Sequence, residues 1–168
     1  ASQVHTTGAV TIDGAAATTG SVTLRTISAS GAVTISMGAG SGALSLATNV
    51  DTEKGLTLDT TNFGGTVDMA SITASGATTL SVGGGDFSAG LTIIDSTFTL
   101  DASTSTTGTV TLTTVSAGGN ATINMGAGSG ALALGSAQAG GSLTIDATSF
   151  TGSTTITTVS GSGAITIS

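Results

Sequence analysis

Residues 108–118 read GTVTLTTVSAG and residues 119–129 read GNATINMGAGS, and this pair of 11-residue segments decides the fold. Each opens on glycine, alternates apolar and polar residues over a short stretch, and then runs into small residues. The first kind recurs as GSVTLRTISAS (20–30), GTVDMASITAS (65–75) and GSTTITTVSGS (152–162). The second recurs as GAVTISMGAGS (31–41), GATTLSVGGG (76–85) and GAITIS (163–168). Glycine opens such units at 20, 31, 42, 55, 65, 76, 90, 108, 119, 130, 141, 152 and 163, mostly 11 residues apart. A third signature, Val10-Thr11-Ile12-Asp13, returns as Leu56-Thr57-Leu58-Asp59, Phe98-Thr99-Leu100-Asp101 and Leu143-Thr144-Ile145-Asp146. The full repeat is therefore about 44 residues, four quarter-units long, with super-repeats starting near 20, 65, 108 and 152. Residues 1–168 form one array, expected to be a segment of a longer one or the subunit of a polymer.

The stretches Val22-Thr23-Leu24, Val33-Thr34-Ile35, Val110-Thr111-Leu112 and Ile165-Thr166-Ile167 carry the period of two that marks strands with one buried face. β-Branched residues suit that surface, and the recurring glycines would each cost a helix roughly 1 kcal/mol. Strands of about three to six residues are expected, with Gly, Ser and Ala allowing tight bends and left-handed backbone between them. An antiparallel sandwich or barrel and a parallel β-solenoid both fit short strands at constant spacing. Near-identical units that bury a continuous core by stacking favour the solenoid, as does the scarcity of hairpin dipeptides, Asp13-Gly14 being the one instance. Two quarter-units per turn give a coil of about 22 residues, and seven to eight coils would span roughly 35–37 Å. A coil of 44 residues would enclose more interior than Ala, Val and Leu readily fill. Met37 and Met125 occupy equivalent positions and are expected to fill the same kind of gap. Length varies at Asn49–Lys54 and between Gly83 and Asp101, which predicts loops on one face there.

Gly, Ala, Ser and Thr supply about two thirds of the 168 residues, and charged residues 7%. A mean hydropathy of +0.47 argues against disorder, while the small side chains suit a thin, repeated core. The chain has no cysteine, which removes disulfides, thiolate metal sites and a cysteine nucleophile. One histidine, His5, offers little to a triad or a His-rich site. Arg25 and Lys54 are the only two basic side chains, and a net charge of −7 repels a phosphate backbone, so no nucleic acid is expected as a partner. No apolar run reaches 18 residues, so no membrane insertion is expected either.

The candidate metal ligands are Asp13, Asp59, Asp101 and Asp146, one per super-repeat. Carboxylates with loop carbonyls suit Ca²⁺, and a strand-end aspartate equally suits capping of turn amides. In a 22-residue coil these aspartates recur on every second coil, about 9.6 Å apart, too far to share one ion. The turn reading is therefore the stronger. Thr23, Thr111 and Thr155, and in the next unit Thr34, Thr79, Thr122 and Thr166, form outward columns. Flat Thr-x-Thr arrays on solenoids resemble those of ice-binding proteins, but the pairing here is intermittent: Thr109-Val110-Thr111 has it, Thr66-Val67-Asp68 does not. Asn120-Ala121-Thr122 matches a glycosylation sequon inside an expected strand, and Asp51, Glu53 and Lys54 read as a solvated loop.

The GxVTI-like units, the dominance of Gly, Ala, Ser and Thr, the absence of cysteine and the acidic charge resemble the repetitive regions of long secreted microbial surface proteins, including fibrous adhesins, haemagglutinin-like shafts and surface-layer-type proteins. The resemblance covers nearly the whole chain and is one of composition and period. It implies an extracellular or cell-surface structural component, a filament, stalk or coat, built by stacked coils with end-to-end or lateral self-association. An adhesin shaft, a calcium-dependent surface-layer module and an ice-binding array are the alternatives. An enzyme is not expected, because two basic residues cannot supply the clustered acidic and basic groups of a solenoid lyase.

Overall fold

The computed structural model describes residues 3–14, 19–104 and 107–168. Strands follow one another in the order β1 (Gln3–Thr6), β2 (Val10–Gly14), β3 (Val22–Ala29), β4 (Val33–Met37), β5 (Ala43–Thr52), β6 (Leu56–Thr60), β7 (Thr66–Ala74) and β8 (Thr78–Val82). They continue as β9 (Phe87–Ile94), β10 (Phe98–Ala102), β11 (Thr109–Ala117), β12 (Ala121–Met125), β13 (Ala131–Ala139), β14 (Leu143–Asp146), β15 (Ser153–Gly161) and β16 (Ile165–Ile167). Odd strands form one 8-stranded sheet and even strands the other, each in chain order and every pairing parallel. This is a parallel β-solenoid with two strands and about 22 residues per coil. Its seven steps between eight strands span about 34 Å.

The core is a set of columns. On the even sheet, Ile35, Leu58, Leu80, Leu100, Ile123 and Ile145 stack directly over one another, all fully buried. In the adjacent column Phe98 lies between Thr78 and Ala121, so the largest side chain is flanked by two small ones. Met37 and Met125 are buried at equivalent places and face Gly14 and Ala102 across the sheet, filling the space those small residues leave.

The odd strands depart from the expected length. Six of them run eight or nine residues and β5 runs ten, whereas the even strands have three to five. The inward pattern explains this. In β3 the apolar residues packed on the core are Val22, Leu24, Ile27 and Ala29, so the alternation slips by one residue in mid-strand. The strand bends there and continues in the same sheet. In β5 the bend holds Ala47, Thr48 and Asn49 between the buried Leu46 and Val50, one residue more than in β7. The expected insertion is thus absorbed inside a strand, and only Glu53 and Lys54 project as an exposed turn.

Glycine works differently from expectation as well. Among the described residues none has a positive φ, so left-handed backbone is not what the corners require. What they require is closeness. A Cβ added to Gly42 would sit 1.9 Å from the carbonyl oxygen of Gly20, and the same clash repeats from Gly65 to Gly42, Gly85 to Gly65, Gly108 to Gly85, Gly130 to Gly108 and Gly152 to Gly130. The ladder member in the fifth coil, before β9, is Gly85. Gly90, which opens a unit by sequence spacing, lies in the mid-strand bend of β9.

The clash sets a prediction. Gly108→Ala is expected to destabilise the chain by about 1–3 kcal/mol, because the carbonyl it meets belongs to a hydrogen-bonded coil that has no room to shift. Gly20→Ala, with nothing among the described residues within 4 Å of the added atom, is expected to be neutral or to stabilise by about 0.4–1 kcal/mol. Chemical unfolding of the two variants beside the parent separates them.

Candidate functional site

The outer surface has three strips, the even sheet and the two halves of the bent odd sheet. On the even sheet, outward residues of successive strands fall into register. Thr11, Thr34, Thr57, Thr79, Thr99, Thr122, Thr144 and Thr166 make an unbroken column of eight. The sequence divides these threonines between two different quarter-units, so each appears to recur only every 44 residues; aligning the chain at 22 would have shown one column. Its neighbour is not a second threonine column. Asp13, Ser36, Asp59, Ser81, Asp101, Asn124 and Asp146 alternate there.

The four aspartates are therefore separated by an intervening coil, as a 22-residue turn demands, and the structure brings no two of them together. Asp59, Asp101 and Asp146 each cap the turn that follows. Asp59 Oδ1 accepts from the Thr61 amide at 3.1 Å and the Thr61 hydroxyl at 2.7 Å. Asp146 Oδ1 accepts from the Thr148 amide at 3.0 Å and its hydroxyl at 2.7 Å. Asp101 Oδ1 accepts from the Ser103 amide at 2.9 Å. These are Asx turns, in which the side chain satisfies an amide that the departing strand leaves behind. The two coils with Asp59 and Asp146 then place Phe63 and Phe150 against the glycine ladder, where the ring ends lie 2.6 and 2.7 Å from the position of a Cβ on Gly65 and Gly152. Among the described residues no group of three or more His, Cys, Asp or Glu side chains is arranged to hold a metal ion.

Other polar residues also serve corners. Asp86 accepts from the Thr109 amide at 2.8 Å, one coil further on. The side-chain Oδ1 of Asn120 in the sequon accepts from the Ser142 amide at 2.9 Å, and Thr122 lies in β12 as expected. His5 lines a shallow open groove of about 600 Å³ with Ser28, Asp51 and Glu53, on the first coils of the odd sheet. No helix among the described residues is long and apolar enough to cross a membrane. No known family model, curated protein or solved structure matches the chain.

The Asp146 turn carries a measurable signature. The Thr148 hydroxyl, followed by the Thr148 amide and the Ser168 hydroxyl, holds its carboxyl below the ordinary value of 3.8, with desolvation acting against them. A carboxyl depressed on folding contributes stability that is present above its unfolded value and is lost as pH falls through the folded one. Carboxyl-detected NMR is expected to place the Asp146 midpoint below the normal aspartate range, and Thr148→Ala is expected to raise it. An unchanged midpoint in that variant would remove the capping assignment.

Proposed function

We infer that the chain is a rigid structural element, a β-solenoid segment of an extracellular filament, stalk or cell-surface coat, rather than an enzyme. The observation that supports this most is the pair of ladders: both sheets run parallel from the first strand to the last, and the hydrogen bonds that join their strands lie along the axis. Such a body is stiff along its length, and its stability is a sum of like contacts between neighbouring coils. The outermost coil, β15 with β16, keeps an open strand edge and leaves Ile165 and Ile167 about half exposed, at 44% and 52%. A further coil of the same kind, in the same chain or in another copy, would pair with that edge and cover both side chains.

Electron microscopy and fibre diffraction of the purified chain, with and without a calcium chelator, test this. Rods longer than the 34 Å of one chain, with an axial spacing near 4.8 Å and no response to chelation, are expected. Rods that dissolve on chelation would replace the metal-free fibre with a calcium-held coat. Compact monomers at every concentration would overturn end-to-end assembly.

A further inference from the structure

Two alternations compete within β9. By sequence, Phe87-Ser88-Ala89-Gly90-Leu91-Thr92-Ile93 has an apolar residue at every second place after Phe87, the pattern of a straight strand with Phe87, Ala89, Leu91 and Ile93 on one face. The structure follows that pattern only as far as the bend. Phe87 and Ala89 are buried, but beyond Gly90 and Leu91 the inward residues are Thr92 and Ile94. Thr92 lies in the column of Ile72 and Val115, and its hydroxyl has no hydrogen-bond partner. Ile94 lies in a column held by Ala74 and Ala117 in the coils on either side. Leu91 and Ile93 are turned outward, 45% and 38% exposed, with only Ser71, Thr114, Thr73 and Ser116 beside them in register.

We propose that the second half of β9 exchanges between two registers one residue apart: this bent one, and a straight one with Leu91 and Ile93 inside. Advancing the strand by one place sets Leu91 beside Ile72 and Ile93 beside Ala74, turns Thr92 to water between Thr73 and Ser116, and moves Ile94 into the turn. Because side chains alternate with a period of two, a slide of one residue exchanges the two faces completely. The ladder survives the slide. The Ile94 amide takes over the bond that Asp95 donates to the Ala74 carbonyl at 2.9 Å, and the Ile93 carbonyl takes over the one that Ile94 offers to the Gly118 amide at 2.7 Å. The residue given up by the bend passes to the turn before Phe98. Bend length already varies in this sheet, since β5 holds three residues between Leu46 and Val50 where β7 holds two between Met69 and Ile72. Gly90 puts the least restricted backbone of the strand at the joint. Each register carries a defect. The bent one strands a hydroxyl and wets two aliphatic side chains, whereas the straight one wets Ile94 and shortens the bend. Opposed defects of similar kind keep the two close in free energy, so both are populated. The coil thus shows an apolar pair to solvent or withdraws it without any ligand, and the exchange belongs to the single chain whether or not chains assemble.

Thiol labelling of single-cysteine variants of the whole chain, which has no cysteine of its own, reads the exchange. With circular dichroism unchanged, Ile93→Cys faces water in the bent register and is expected to react freely. Ile94→Cys is inside in the bent register and outside in the straight one, and is expected to react at about 0.1–10% of the Ile93→Cys rate. Ala89→Cys is inside in both registers, and Ala117→Cys lies in the column of Ile94 one coil on; both are expected to lag Ile94→Cys by about tenfold or more, because only wider opening reaches them. Adding Thr92→Val, which removes the hydroxyl that resists burial, is expected to slow Ile94→Cys by about tenfold. Ile94→Cys as slow as Ala117→Cys would overturn the proposal. So would equal rates at 94 and 89, which would mean that the strand detaches rather than slides, and so would a protected Ile93→Cys beside a reactive Ile94→Cys, which would leave the straight register alone.

Discussion

The distance between one coil and the next governs this molecule. Parallel strands hydrogen-bond at about 4.8 Å, and nothing in a coil may stand taller than that along the axis. Inside, the constraint is met by stacking like on like, so that each aliphatic side chain rests on another of its column. At the corners, where the backbone turns and its Cα atoms come closest to the carbonyls of the coil beneath, only hydrogen fits. The ladder from Gly20 to Gly152 is that constraint written into sequence. It explains why glycine recurs with the coil although no corner uses the left-handed backbone that glycine also permits.

Much of the architecture was legible from the 11-residue units, because the period-2 alternation and the coil-length recurrence both follow directly from strand geometry. What was hidden came from the difference between counting residues and counting positions. Gly90 has the spacing of a corner glycine, yet Gly85 occupies the corner, because the odd strands carry a bend that takes up variation in length. The same bend hid the true length of those strands, since the slip from Leu24 to Ile27 looks like the end of an alternation rather than its continuation.

The outer faces were legible in part. The aspartates fall on alternate coils as the 22-residue turn requires, and they accept from amides and hydroxyls two residues on, as at Asp59 and Asp146. The threonine column was obscured because its members belong to two unlike sequence units that the fold interleaves. Leu91 and Ile93 could not have been assigned outward from sequence, because in an alternating strand an apolar pair is taken to face the core; only the register with Ser71 and Ser116 places them outside.

The direction of the hydrogen bonds has a mechanical consequence. Strands circle the axis while the bonds between them run parallel to it, so a pull along the axis loads the seven interfaces in series, each bearing the whole force. The first interface to yield sets the breaking load, whatever the number of coils. Adding further 44-residue repeats would lengthen such a body without making it stronger, and extension and tensile strength are thereby free to vary independently.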